Sequence, residues 1–196
     1  MKEILERYQL HYYLNEFIDI DNITSVEMPN FFKEEIKFAL FNRGEEDKEA
    51  FTCEFIIVPF LRATWKKHPQ LNLFSHVAIH ADNTTIIPDY LVTAKSPTGY
   101  KSIYQPLLLT VEAKNEKFEE GWTQALLQSI ICQKINGTET IPIWSIVTTG
   151  DFWQFGKLEQ RNFSRHPFPA SIQDMAKLLG ILEVLFSACE QTAQCL

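Results

Sequence analysis

The 196-residue sequence contains no Gly-rich phosphate loop, no Gly-x-Ser-x-Gly nucleophile elbow and no internal repeat. P-loop nucleotide chemistry, α/β-hydrolase chemistry and solenoid architectures are set aside on that ground. Also missing is any run approaching the ~18 continuous apolar residues of a membrane span. The opening MKEILERYQLHYY lacks the pattern of a secretory signal. The expectation is a soluble, cytoplasmic chain with no membrane partner. Cysteine is sparse and scattered: Cys53, Cys132, Cys189 and Cys195 form no Cys-x-x-Cys pair. Neither a zinc knuckle nor a disulfide framework is indicated, and the thiols are expected to be reduced. An excess of positive charge is lacking too. A net charge of −7 and a pI near 5.3 count against nucleic-acid binding through a broad basic face and leave only local patches. Arg62, Lys66, Lys67 and His68 form one such cluster, and Lys95, Lys101, Lys114 and Lys117 another. Each also reads as ordinary solvated surface.

What is present is enough apolar sequence, 45% of residues against 22% charged, for one substantial core. MKEILERYQLHYYLNEF reads as an amphipathic helix and SVEMPNFFKEEIKFAL as a second. EEDKEAFTCEFIIVPFLRATWKKH is the strongest helix candidate, acidic in its first turns and basic in its last. Pro59 predicts a kink in it. Phe51, Phe55, Val58, Leu61 or Arg62, and Trp65 trace its buried stripe, and Glu54 lies on that stripe. LFSHVAIHA reads as a strand with His76 and His80 on one face. EKFEEGWTQALLQSIICQKIN is a helix carrying Gln124 and Gln128 one turn apart. Ile141–Thr148 is a strand, FWQFGKL a short edge strand, and SIQDMAKLLGILEVLFSACEQ a helix with Ser171 as N-cap and Asp174 three residues on. The apolar residues of this last helix nearly encircle it, which predicts burial in the domain or in a dimer contact.

The segments IIPDYLVTAK and PLLLTVEAKN carry the chemistry. Residues 86–94 and 106–114 are rich in Ile, Leu and Val, and KSPTGYKSIYQ between them holds turn residues. An antiparallel hairpin about Gly99–Lys101 sets Asp89 opposite Glu112, Tyr90 opposite Val111 and Val92 opposite Leu109. Opposed carboxylates ~5 Å apart at Cβ destabilise a sheet unless a positive charge lies between them. Alternation puts Thr110, Glu112 and Lys114 on one face, so an ammonium arrives on the same side. Two hard carboxylates with positions left for water and a phosphate suit Mg²⁺ or Mn²⁺ better than Zn²⁺.

Pro88-Asp89 followed by Glu112-Ala113-Lys114 resembles the signature of the PD-(D/E)XK nuclease superfamily. The resemblance covers about residues 45–158. It implies a restriction-endonuclease-like α/β/α sandwich, a mixed central sheet flanked by helices, in a single domain. Residues 1–44 would be a helical extension and residues 171–190 a C-terminal helix. It also implies a metal-dependent nuclease, a DNA endonuclease, in which Asp89, Glu112 and the Ala113 carbonyl hold Mg²⁺ or Mn²⁺ and Lys114 positions or activates the attacking water. The superfamily's helical acid maps onto Glu54, with Glu49 as the substitute; otherwise Glu54 pairs with a base such as Arg62. The superfamily's helical Gln matches Gln124, whereas Gln128 stands where some members carry a Tyr. Nucleic acid is the implied partner, and a double-strand cutter of this kind would work as a homodimer. The alternative is a catalytically inactive relative serving in nucleic-acid binding or protein assembly.

Overall fold

A computed structural model describes residues 1–44 and 49–195. Its elements are α1 (Lys2–Tyr8), β1 (His11–Leu14) and α2 (Asn30–Phe41), then a continuous helix made of α3 (Glu49–Thr52), a π-helical turn (Cys53–Ile57) and α4 (Val58–Trp65). β2 (Leu71–Ser75), β3 (Ile79–Ala81), β4 (Thr84–Ile86), β5 (Tyr90–Ala94) and β6 (Leu107–Ala113) follow, then α5 (Phe118–Asn136). The chain continues through β7 (Ile143–Thr148), β8 (Phe152–Glu159), β9 (Asn162–Arg165), β10 (Ala170–Ser171) and α6 (Met175–Gln194). The fold is mixed α/β. A large sheet runs β1–β9–β8–β7–β6–β5–β2, with β10 beside β8, and helices flank it. Most pairings are antiparallel, but β6–β7 and β1–β9 are parallel. The 19-residue helix α5 supplies the long crossover that two successive parallel strands require.

Strand alternation sorts side chains between two layers. Glu112 and Ser145 reach Gln128 and Ser129 on α5, whereas Val111 and Ile146 enter the larger apolar core with Phe60, Leu182 and Phe186. A smaller core on the α5 side gathers Trp122, Leu126, Val147 and Phe163, covered by Ile4 and Leu5 of α1. The close approach of α5 to the sheet depends on Gly121, where a Cβ would lie 2.6 Å from Val147 Cγ1 and 3.0 Å from Lys114 Cγ.

The structure departs from the sequence reading in five places. The first predicted helix stops at Gln9, a left-handed cap, and its second half becomes β1. LFSHVAIHA splits into β2 and β3, and β3 pairs only with β4 in a separate small hairpin. That hairpin also takes Ile86 out of the arm proposed to bear Asp89. FWQFGKL lies inside the sheet, flanked by β7 and β9. Asp174 rather than Ser171 caps α6, its Oδ1 accepting from Lys177 N–H at 3.0 Å, while Ser171 caps the short turn before it. Lastly, the buried face of the third helix is Thr52, Cys53, Ile56, Ile57, Phe60 and Leu61, and both Glu54 and Phe55 are exposed. Pro59 has no N–H to donate back into the helix, and just before it Val58 N–H reaches Cys53 O in a π turn. The wider turn rotates the helix face away from a 3.6-residue stripe. Glu45, Glu46 and Asp47, read as the helix's acidic start, lie outside the described residues.

Candidate active site

Tyr90, Leu91 and Val92 of β5 pair with Val111, Thr110 and Leu109 of β6, and a bulge then brings Thr93 against Leu107. Asp89 immediately precedes β5 and Glu112 follows Val111, so this register sets the two side by side. Asp89 Oδ2 accepts from Ala113 N–H at 2.7 Å. Lys114 Nζ donates to Glu112 Oε1 at 2.6 Å, and Gln128 Nε2 donates to Glu112 Oε2, also at 2.6 Å. Lys114 N–H donates to Thr148 O at 2.8 Å, which ties the end of β6 to β7. His76, just past β2, holds Asp89 from the other side: its N–H donates to Asp89 O at 2.9 Å, and its Nε2 lies 3.3 Å from Asp89 Oδ1.

The electrostatics follow from burial and crowding. Glu112, 4% exposed, has its pKa raised by burial and by the charge of Asp89, against the lowering effect of hydrogen bonds from Lys114 and Gln128. Glu49 is raised by burial and by Asp89, with Lys114 and His76 pulling it down. For Lys114, burial favours the neutral amine, but the bond and charge of Glu112, with Glu49 and Asp89, outweigh it and leave the pKa raised. Its acidic neighbours thus favour the ammonium form. Beneath the carboxylates, burial pushes the Cys53 thiol up to about 11 and raises the Tyr90 phenol.

Asp89, Glu112, Ala113 and Lys114 are therefore together. Gln124 is exposed on α5 and lines a cleft of about 900 Å³ that also takes in Arg43, Glu49, Lys114, Lys117 and Glu120. Glu54 is exposed, and its charge is felt by Tyr90, whereas the charges of Asp89 and Lys114 register on Glu49. At three positions the structure favours the residue that the sequence reading ranked second or left open. Gln128 rather than Gln124 bonds Glu112, His76 lies against Asp89, and Glu49 is the helical carboxylate coupled to the site. Gln124 and Gln128 lie one turn apart on one face of α5, so the helical period alone could not choose between them. Alternation put His76 and His80 on one face, so that either could lie near the site; His76 does, and His80 pairs with Thr85 on the β3–β4 hairpin.

The sequence-level basic clusters are largely occupied internally. Lys67 pairs with Glu183, and His68 sits between Glu183 and Glu190. Lys101 lies over the rings of Trp65 and Phe74. A more apolar cavity of about 460 Å³, bordered by Pro29, Phe32, Ala63 and Leu179, shares no lining residue with the cleft.

No family model matches the chain, and no curated protein does. Among solved structures it is similar to a fragment assigned as the HsdR subunit of a type I restriction enzyme from Vibrio vulnificus YJ016. Identity is 16% and the TM-score 0.38, over 70% of this chain and 26% of that one. Among the described residues no helix is long and apolar enough to cross a membrane, and no group of three or more His, Cys, Asp or Glu side chains is arranged to hold a metal ion. The donor set nevertheless fits a hard divalent cation of the Mg²⁺ type, which one or two carboxylates suffice to bind when waters and substrate phosphate complete its shell. Asp89 and Glu112 would supply those carboxylates, and the charge of Asp89, which together with the larger effect of burial raises the Glu112 pKa, is what such an ion would offset.

Proposed function

We propose that this protein is a metal-dependent nuclease that hydrolyses phosphodiester bonds, a DNA endonuclease of restriction-endonuclease-like type. One observation above all supports the reading: the β5–β6 register brings Asp89 beside Glu112, with Lys114 bonded to Glu112. Asp89, Glu112 and the Ala113 carbonyl would hold Mg²⁺ or Mn²⁺, with Glu49, or Glu54, contributing from the helix. When bound, the ion supplies Lewis acidity toward the phosphate and an acidified water. Lys114, kept as an ammonium by its acidic neighbours, counters the negative charge that grows on the phosphate during attack. Gln128 fixes the Glu112 carboxylate, and Gln124, on the cleft wall, orients water or substrate there.

The test is nicking of supercoiled plasmid, and cleavage of single-stranded DNA, in Mg²⁺ or Mn²⁺. Wild-type protein should cut, and Asp89→Asn and Lys114→Ala should each lose about 100-fold or more. Cleavage unchanged by both substitutions would overturn the assignment. A second reading, an inactive nuclease fold used in nucleic-acid binding or protein assembly, draws support from the net charge of −7 and from the full engagement of both Glu112 oxygens. Folded wild-type protein that cuts nothing in either metal would favour it. Double-strand cutting through a homodimer predicts a two-fold assembly in sedimentation.

A further inference from the structure

His76 adopts a left-handed backbone, φ 51, a conformation that costs a residue with a Cβ. In that conformation its main-chain N–H donates to Asp89 O at 2.9 Å, and its Nε2 lies 3.3 Å from Asp89 Oδ1. On the far side of the ring, Nδ1 lies 2.7 Å from Ser75 Oγ. When the Ser75 hydroxyl donates to Nδ1, the ring carries its proton on Nε2, the nitrogen that faces the carboxylate. The side chain is 56% exposed and meets Tyr90 edge-on at 5.9 Å between ring centres, so close packing does not dictate its pose.

We infer that His76 is a positioning residue for the divalent cation: with Ser75 it orients the Asp89 carboxylate. The inference rests on the nuclease reading above. Asp89 Oδ2 accepts from Ala113 N–H and Oδ1 lies against His76 Nε2, and a polar neighbour on each oxygen holds the carboxylate plane where one would leave it free to rotate. The remaining lone pairs then present a fixed arrangement, and less freedom is lost when the ion binds. Polar contacts of this kind, from groups behind a ligating side chain, commonly govern metal affinity.

The experiment is calorimetric titration of Mn²⁺ into wild-type protein, His76→Gly, His76→Gln, Ser75→Ala and Asp89→Asn, with the thermal midpoint of each chain measured alongside. His76→Gly should bind Mn²⁺ about 10- to 100-fold more weakly without a lower midpoint, because glycine enters the left-handed region freely. His76→Gln keeps an N–H donor near the Nε2 position and should recover most of the affinity; Ser75→Ala should fall between. Wild-type affinity in His76→Gly overturns the inference and leaves the nuclease reading intact. So does a His76→Gly chain whose weaker binding comes with a lowered midpoint and no recovery in His76→Gln, which assigns the residue a purely structural role. No Mn²⁺ binding by wild-type protein, or binding that survives Asp89→Asn, overturns the nuclease reading and the inference with it.

Discussion

Glu112 and Glu49 both hold their protons to higher pH in the folded chain than a solvated carboxylate does, through burial first and the nearby charge of Asp89. Between the ordinary carboxylate value and these raised values the native state binds more protons than the unfolded one, so stability falls as pH rises through that window. A cation bound between the carboxylates reverses the balance. In chelator, the thermal midpoint should decline as pH climbs above the ordinary carboxylate range, and Mn²⁺ should raise it more at about pH 8 than at about pH 5. Scanning fluorimetry checks this. An equal Mn²⁺ effect at both pH values, or an unchanged pattern in Glu112→Gln, would remove Glu112 from the site. The proximity of Asp89, Glu112 and Lys114 was legible in the sequence because apolar strands and a turn dictate their register. Glu49 was legible only as the substitute for Glu54, because Glu54 comes first if the helix keeps an α period, and the π turn at Cys53–Ile57 breaks it. His76 was legible only as one of two strand histidines: its place beside Asp89 comes from a backbone excursion at the end of β2, which alternation treats as more strand.

The site is held by elements meeting at close range, and α5 is the one whose distance matters most. An alanine at position 121 places its Cβ 2.6 Å from Val147 and 3.0 Å from Lys114. Alanine is the better helix former by about 1 kcal/mol, so propensity alone predicts that Gly121→Ala stabilises the chain. Overpacking costs about 1–3 kcal/mol and should win, lowering the urea midpoint. Because Gln128 rides on the same helix, the variant should also cut more slowly. A stabilised variant would show that the helix has room to move. Elements with one dominant signal were readable: α2, α5, α6, and the parallel relation of β6 to β7 that the crossover helix imposes. Elements set by distant partners were not. HYYL has aromatic and aliphatic residues that suit either a helix or a strand, and only β9 decides for the strand. FWQFGKL looked terminal because its outer neighbour, NFSR, carries too little apolar sequence to announce itself.

Over the whole molecule, charge works against the ligand the site is proposed to take. Glu49, Glu116, Glu120 and Asp151 outnumber Arg43, Lys114 and Lys117 around the cleft, and Arg43 is paired with Asp151 at 3.1 Å. Few cations are free to neutralise phosphates, so DNA binding should require a divalent ion and show a shallow salt dependence. Fluorescence anisotropy of a labelled duplex should report binding in Ca²⁺ and none in chelator; equal binding in both would place the phosphate contacts outside the cleft. The parallel pairing of β1 with β9 bears on something else, the order in which the structure is made. His11 meets Asn162, so a strand synthesised early must wait for a partner made much later. The entropy of closing so long a loop has to be met before the pairing returns anything. The seam between β1 and β9 should therefore be slow to close. A chain arrested before residue 162 would carry Tyr12, Tyr13 and Leu14 without a strand to lie against, while β2, β5, β6 and β7, and the carboxylate pair they frame, could already be assembled.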